Sequence, residues 1–211
     1  MKLYTYFRSS AAYRVRIALN LKGLPYDSIS IHLIKDGGRQ FTPEFRAINP
    51  QMRVPALALD NGQVLTQSLA IIEYLDEIKP DPSLLPADPI ARARVRSLAQ
   101  AIACDIHPLN NTSPLRYLKR TLNLEQPQID AWYHHWIVEG FKAIESTIKP
   151  GPYACGGGVT LADICLVPQV ANARRFKVPL DAFPKIVAVD AACQKLPAFD
   201  KARPENQPDA E

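Results

Sequence analysis

Apolar and polar positions alternate from the first residues to Phe7, the period of a strand, and then change step. Beyond Ser9 and Ser10, the residues Ala12, Val15, Ala18 and Leu19 fall on one face of a helix. Gly23 and Pro25 close that helix. Ile29, Ile31 and Leu33 alternate as a second strand, and Lys35 to Gln40 is rich in turn formers. Phe41 to Ala47 suits a short helix. Val54 to Leu59 reads as a third strand opened by a proline, Asn61-Gly62 as a hairpin turn, and Val64-Leu65 as a short fourth strand. Ser68 then caps a helix whose apolar face is Leu69, Ile72, Leu75 and Ile78.

The order strand, helix, strand, short helix, strand, strand, helix predicts an α/β domain of the thioredoxin-like kind over residues 1–80. Lys79 to Pro89 is dense in proline and marks a boundary. From there the pattern is helical, giving an all-α domain over residues 88–211. Asp88 caps its first helix with Pro89 at the first position, and Val95, Leu98, Ile102 and Ile106 form the buried stripe. A second helix covers Pro127 to Ile148, Thr160 to Asp163 is a capping box that opens a third, and a fourth covers Pro184 to Lys195. The tail after Phe199, rich in proline and charge, reads as mobile.

The 211 residues, 47% of them hydrophobic, suffice for one large or two small cores. A formal net charge of +4 does not argue for a nucleic-acid partner but suits a small anionic ligand. The opening residues lack the apolar core of a signal peptide, and no run approaches a membrane span. Cys104, Cys155, Cys165 and Cys193 are scattered without zinc-ligand spacing, which reads as reduced, mostly buried thiols of a cytoplasmic protein.

The candidate chemistry starts at the first helix. Its start presents unpaired backbone N–H groups and the positive end of the helix dipole, a place that stabilises an anion such as a thiolate. Ser9 and Ser10 could be one cap and one bystander, or hydroxyls that donate to that anion. Ser68 offers a second helix start suited to a carboxylate. Arg8, Arg174 and Arg175 read as solvated charges unless a carboxylate ligand recruits them through bidentate pairing. Arg14, Arg16, Arg92, Arg94 and Arg96 read as surface or interface charges.

The stretch Tyr6 to Leu19 (Tyr-Phe-Arg-Ser-Ser-x-x-Tyr-Arg-Val-Arg-Ile-Ala-Leu) resembles the signature of zeta-class glutathione transferases, the maleylacetoacetate isomerases. So do Asn49 to Leu57, Gln67 to Leu75, Leu84 to Pro89, Thr160 to Asp163 and Leu166 to Val178, in order along nearly the whole chain. The resemblance implies the two-domain glutathione-transferase fold, glutathione as cofactor, a small dicarboxylate keto-acid substrate and a homodimer. It implies a cis bond between Val54 and Pro55, with Val54 offering backbone groups to the cysteinyl part of glutathione. It implies Gln67 and Ser68 for the γ-glutamyl end and Gln40 for the glycyl end. Ser9 becomes the likelier catalytic hydroxyl beside Ser10, and Arg175 grips a substrate carboxylate, while Arg8 lies in the right loop to contribute a second positive charge. His107, Asn111, Thr112 and Ser113 match positions that contact glutathione or line the substrate pocket; His107 stands where the family has glutamine, either as a hydrogen-bonding substitute or as an acid–base group. One departure stands out: Ala11 replaces the family's cysteine, which leaves the enzyme inactive if the reaction needs that thiol and costs little if glutathione supplies the nucleophile, the reading favoured here because an external thiolate suffices.

The implied reaction is cis–trans isomerisation in aromatic amino-acid catabolism. A thiolate adds to the maleyl double bond, the resulting single bond rotates, and the thiolate leaves. Maleylacetoacetate would become fumarylacetoacetate. Maleylpyruvate, small α-haloacids, or a non-catalytic glutathione-binding role are the alternatives.

Overall fold

A computed structural model of the chain describes residues 1–149 and 151–211. It contains two compact units, Met1–Ser83 with Lys195–Glu211, and Leu84–Gln194.

In the first unit, β1 (Lys2–Thr5), β2 (Asp27–Ser30), β3 (Ala56–Ala58) and β4 (Val64–Thr66) form one sheet in the order β2-β1-β3-β4. β1 runs parallel to β2 and antiparallel to β3, which is antiparallel to β4. The helices are α1 (Ser10–Leu21), α2 (Pro43–Ile48) and α3 (Ser68–Ile78). β2 and β3 are shorter than the alternation predicts, because Ile31, Leu33 and Val54 pack in a loop cluster with Tyr6, Phe7 and Phe45 instead of extending the ladder.

α1 is buried on more than one face: every residue from Ala12 to Leu19 is inside. The reason lies at the far end of the chain. The segment expected to be a mobile tail of the helical domain instead folds into the first unit as α9 (Pro197–Ala202) and packs on α1. Asn20 donates to Ala198 O at 3.0 Å and Arg16 Nε to Ala202 O at 3.0 Å. Arg14 and Arg16, expected at the surface, are therefore 2% and 0% exposed. Arg92 lies half-buried, donating to Pro86 O and Ala87 O of the connector, while Arg94 is exposed and Arg96 half-buried.

The buried face of α3 is also turned from expectation. It consists of Ile71, Ile72 and Leu75, whereas Leu69 is half-buried and Ile78 half-exposed. Its cap position is Gln67, at φ 70°, so Ser68 is the first helical residue and not the cap.

The second unit is helical: α4 (Pro89–Gln100), α5 (Thr112–Arg120), α6 (Gln126–Thr147), α7 (Leu161–Arg175) and α8 (Pro184–Cys193). Asp88 caps α4 as predicted, accepting from Ala91 N at 2.7 Å. α4 runs on through a π-helical segment, Ala101–Ile106, and a 3-10 turn, His107–Asn110. α5 has no counterpart among the helices expected from the sequence; it is short and mostly polar and basic, with Leu118 its one buried residue. The middle of the unit is α7, buried from Leu161 to Val170 and packed against α4 and α8.

Two devices fix this unit. The capping box is present: Asp163 accepts from Thr160 N at 2.8 Å and Thr160 Oγ1 at 3.0 Å, and also from Ala154 N at 2.7 Å. Burial pushes the Asp163 pKa up, and those donors oppose the rise. Elsewhere α6 meets the π-helical segment at Gly140, where a Cβ would lie 2.2 Å from Ile106 Cδ1. Only a glycine lets the backbone approach that closely. Among the described residues no helix is long and apolar enough to cross a membrane.

Removing the Asp163 carboxylate leaves two buried or half-buried backbone N–H groups without acceptors. Asp163→Ala should cost about 2–4 kcal/mol, read from urea unfolding followed by the fluorescence of Trp132 and Trp136; a midpoint within error of the parent would refute the role of the box. Gly140→Ala should destabilise by about 1–3 kcal/mol through overpacking. In an Ile106→Ala background the same change should instead stabilise, by up to about 1 kcal/mol of helix propensity; destabilisation in both backgrounds would refute the contact.

Candidate functional site

The register of the sheet decides which loops meet. Tyr4 pairs with Ala56, and Ala56 pairs with Thr66. β1 therefore ends beside the start of β3 and the end of β4. β2, parallel to β1, ends on the same side, with Thr5 opposite Ser30. The chain after β1 (Arg8 to Ser10), after β2 (through Gln40), before β3 (Val54-Pro55) and after β4 (Gln67-Ser68) is thus gathered at one end of the sheet.

Ser9 is the N-cap of α1, and its Oγ accepts from Ala12 N at 3.2 Å. A hydroxyl has two acceptor sites and one proton, so capping leaves the O–H available to donate. The cap and the donor readings of Ser9 are compatible. Ser9 is half-exposed, whereas Ser10, the first residue of α1, is 5% exposed. Ala11 is half-exposed and offers no thiol. Arg8 is exposed, with its guanidinium 4.7 Å from the centroid of the Phe7 ring.

The Val54-Pro55 bond is cis. The β1–β3 ladder ends at Ala56, so the peptide groups of buried Val54 lie beyond its last pair. Gln67 makes no capping hydrogen bond; its amide donates to Gln51 Oε1 at 3.0 Å. The start of α3 is accordingly uncovered by its own cap residue and suits an anion. Behind it, Ser68 Oγ accepts from the buried Arg14 Nη1 at 3.4 Å. Gln40, which residue type alone would leave as an exposed loop glutamine, is 4% exposed because its side chain folds against Gly38 and donates to Leu33 O at 3.3 Å. Its Oε1 is buried without a hydrogen-bond partner among the described residues. A buried orphan acceptor, an uncapped helix start and a serine hydroxyl at one sheet end are what a tripeptide with amide, carboxylate and thiol groups would satisfy.

Arg16, which sequence reading missed, holds this end from inside. Its Nη1 donates to Thr5 Oγ1 at 3.0 Å and Tyr6 O at 3.3 Å, and its Nη2 to Phe7 O at 3.1 Å. Ser9 N donates to Tyr6 O at 2.9 Å. The turn that presents Arg8 and Ser9 is therefore pinned to a buried guanidinium. The signal in the sequence was the helical phase of Arg16, between Ala12 and Leu19 on a helix whose every face turned out to be covered.

The second unit carries the remaining predicted residues. The Asn111 amide N–H can only donate, so it gives His107 Nε2 a hydrogen bond at 3.1 Å and places the neutral ring's proton on Nδ1. Asn111 Oδ1 caps α5, accepting from Thr112 N at 2.7 Å. Thr112 and Ser113 are exposed in the first turn of α5. At the end of α7 the two arginines part. Arg174 is ion-paired with the buried Asp190 carboxylate. Arg175 is exposed, its guanidinium 4.8 Å from the centroid of the Phe176 ring and next to the Tyr133 hydroxyl. Phe176 stacks on Tyr133 with centroids 3.8 Å apart, and its carbonyl accepts from His134 Nε2 at 2.7 Å. Burial pushes the Tyr133 phenol up, against the effect of Arg175. α6 thus anchors the turn that carries Arg175.

Residues 8–78 match the family model of the glutathione S-transferase N-terminal domain, and residues 127–197 that of the C-terminal domain. The chain is 50% identical over 209 residues to a maleylacetoacetate isomerase of Pseudomonas aeruginosa, covering 99% of this chain and 98% of that protein. It is 51% identical over 215 residues to a maleylpyruvate isomerase of Ralstonia sp, covering all of both. The holo structure of a maleylpyruvate isomerase, a bacterial glutathione S-transferase of the zeta class, superposes with a TM-score of 0.96 at 50% identity over all of both chains. The maleylacetoacetate isomerase of Anaeromyxobacter dehalogenans 2CP-1, with dicarboxyethyl glutathione and citrate bound in its active site, gives a TM-score of 0.87 at 38% identity, covering 100% of this chain and 97% of that one. The chain belongs to the zeta-class glutathione transferase and maleylacetoacetate isomerase family.

Proposed function

We propose that the protein is a glutathione-dependent cis–trans isomerase that converts maleylacetoacetate to fumarylacetoacetate. The observation that carries this reading is the sheet end at which Ser9, cis Val54-Pro55, the uncapped start of α3 and the orphan Oε1 of Gln40 are assembled. When bound there, glutathione supplies a nucleophilic sulfur for reversible addition to the conjugated double bond.

The chain's own residues take the remaining tasks. Ser9 donates its hydroxyl proton to the thiolate, and the α1 N-terminus favours that charge, with Ser10 behind it. Val54 holds the cysteinyl backbone beside Pro55, Gln67 and Ser68 hold the γ-glutamyl carboxylate, and Gln40 holds the glycyl end. Arg14, donating to Ser68 Oγ, turns the Ser68 proton outward toward that carboxylate. Arg8 and Arg175 carry positive charge for the substrate carboxylates and for the enolate charge that develops on addition and persists through rotation. Asn111, Thr112 and Ser113 are the second unit's candidate contacts to glutathione or substrate, and His107, whose Nε2 is engaged by Asn111, joins them as a hydrogen-bonding group. The active form is a homodimer in the cytoplasm.

A second reading keeps this machinery and takes maleylpyruvate as substrate. The full-length similarity to a maleylpyruvate isomerase favours it.

Initial rates with maleylacetoacetate and with maleylpyruvate, with and without glutathione, decide between them. A strictly glutathione-dependent rate is expected on at least one, with kcat/KM naming the better substrate; glutathione binding without conversion of either would overturn the isomerase. Ser9→Ala should lower kcat by about a hundredfold, the loss typical of one donor to a developing anion, while costing only about 1 kcal/mol as a lost cap. A full rate in that variant would remove Ser9 from the chemistry. Arg175→Met should raise KM for the dicarboxylate by about tenfold to a hundredfold, the worth of a charge-assisted pair, with glutathione affinity unchanged. Weakened glutathione binding with an unaltered substrate KM would reverse that assignment.

A further inference from the structure

The turn that presents Arg8 and Ser9 is held from one further direction. Asp209 Oδ2 accepts from Phe7 N at 3.2 Å and from Ser30 Oγ at 2.8 Å. Two residues later Glu211 meets the loop after β2: it is paired with Lys35, and its Oε1 lies 3.3 Å from His32 Nε2. His32 Nδ1 accepts from Ile34 N at 3.1 Å and Lys35 N at 2.8 Å, which leaves the ring proton on Nε2, facing Glu211. The His32 ring packs edge-on to Tyr6 with centroids 4.9 Å apart. One short stretch of chain thus touches both loops that lead to the candidate cofactor site, the one with Ser9 and the one with Gln40. α9 brings it there, through its anchors on Arg16 and Asn20.

The Phe7 peptide is gripped at both ends. Its N–H goes to Asp209 and its C=O to Arg16. No strand fixes the backbone at Phe7, so these two bonds act beside the Ser9 N to Tyr6 O bond of the turn in setting the direction of the next two side chains. The Asp209 carboxylate also favours the charged form of Arg16, which completes a mutual arrangement of charge and backbone.

We propose that Asp209 is a positioning residue for the glutathione reaction, fixing the Phe7 peptide so that Arg8 and Ser9 are presented in one geometry. Glu211 steadies the His32–Gln40 loop in the same way. The inference rests on the assignment of glutathione to this end of the sheet.

Asp209→Ala, Asp209→Asn and Glu211→Ala, made in the full chain, test it by two readouts. Amide hydrogen exchange in the free protein reports the turn itself, and titration with glutathione reports the site. Asp209→Ala should speed exchange of the Phe7 and Ser9 amides and weaken glutathione binding, each by about tenfold, the loss expected for one hydrogen bond to a charged acceptor. Asp209→Asn keeps an acceptor oxygen and should restore both to within about threefold of the parent. Glu211→Ala should speed exchange only between His32 and Gln40. Unchanged exchange and binding in Asp209→Ala would overturn the proposal, as would equal losses in Asp209→Asn, which would trace the effect to charge. Should Asp209→Ala fail to fold, faster exchange confined to the His32–Gln40 loop in Glu211→Ala supports the strap, and its absence overturns it. Failure of the parent protein to bind glutathione would remove the cofactor assignment instead, with the exchange data still judging the strap.

Discussion

The buried guanidinium of Arg16 is the interaction on which the first unit depends. Taking such a charge out of water costs several kcal/mol even after relaxation. Here four acceptors offset it: Thr5 Oγ1 and the carbonyls of Tyr6, Phe7 and Ala202. Burial lowers its pKa to about 10, so the group stays charged at neutral pH. Because the folded value lies below that of the free side chain, burying the charge works against stability across neutral pH and is relieved only above about 10. A charge kept inside against that penalty must be doing something a hydrophobic residue could not. It ties the end of β1, the helix α1 and the helix α9 to one point, and that point is the turn before Ser9.

Around it, register turns a small sheet into a site. A strand pair slipped by one residue would reverse which side chains face the core and would separate the loops that the Tyr4, Ala56 and Thr66 alignment gathers. The chemistry asked of the gathered loops is modest. On the proposed reading they need to stabilise one thiolate and hold one flexible tripeptide, for which backbone groups, two helix starts and a few hydroxyls and amides are suited. Positive charge for the substrate is a separate requirement. In the second unit both arginines at the end of α7 are exposed, but Arg174 is committed to the buried Asp190, whereas Arg175 stands beside Tyr133 and Phe176.

Much of this was legible in the sequence, for local reasons. Asp88 with Pro89, and Thr160 with Asp163, announce helix starts through the donors they satisfy, and both caps form. The strand-to-helix change of period before Ser9 placed the turn correctly. What was not legible depends on distant chain. Arginine is usually exposed, and only the folding of Pro197–Ala202 onto α1 makes Arg14 and Arg16 interior. The proline-rich end looked mobile because its own composition cannot show the donors on Phe7, Ser30 and His32 that await Asp209 and Glu211. Gln40 looked exposed because loop glutamines generally are, and Gly38 provides the space that hides it. The N-cap of α3 was misplaced by one residue, since Gln67 takes a positive φ that glutamine rarely adopts.

The proposed isomerisation requires that the start of α1 ionise a thiol. The direct measurement is the pH dependence of the ultraviolet absorbance of thiolate when glutathione is bound to the protein, compared with free glutathione. The account predicts a bound pKa displaced from the usual thiol value near about 8.5 toward neutrality, with the displacement lost in Ser9→Ala. A bound thiol that titrates with free glutathione would contradict it.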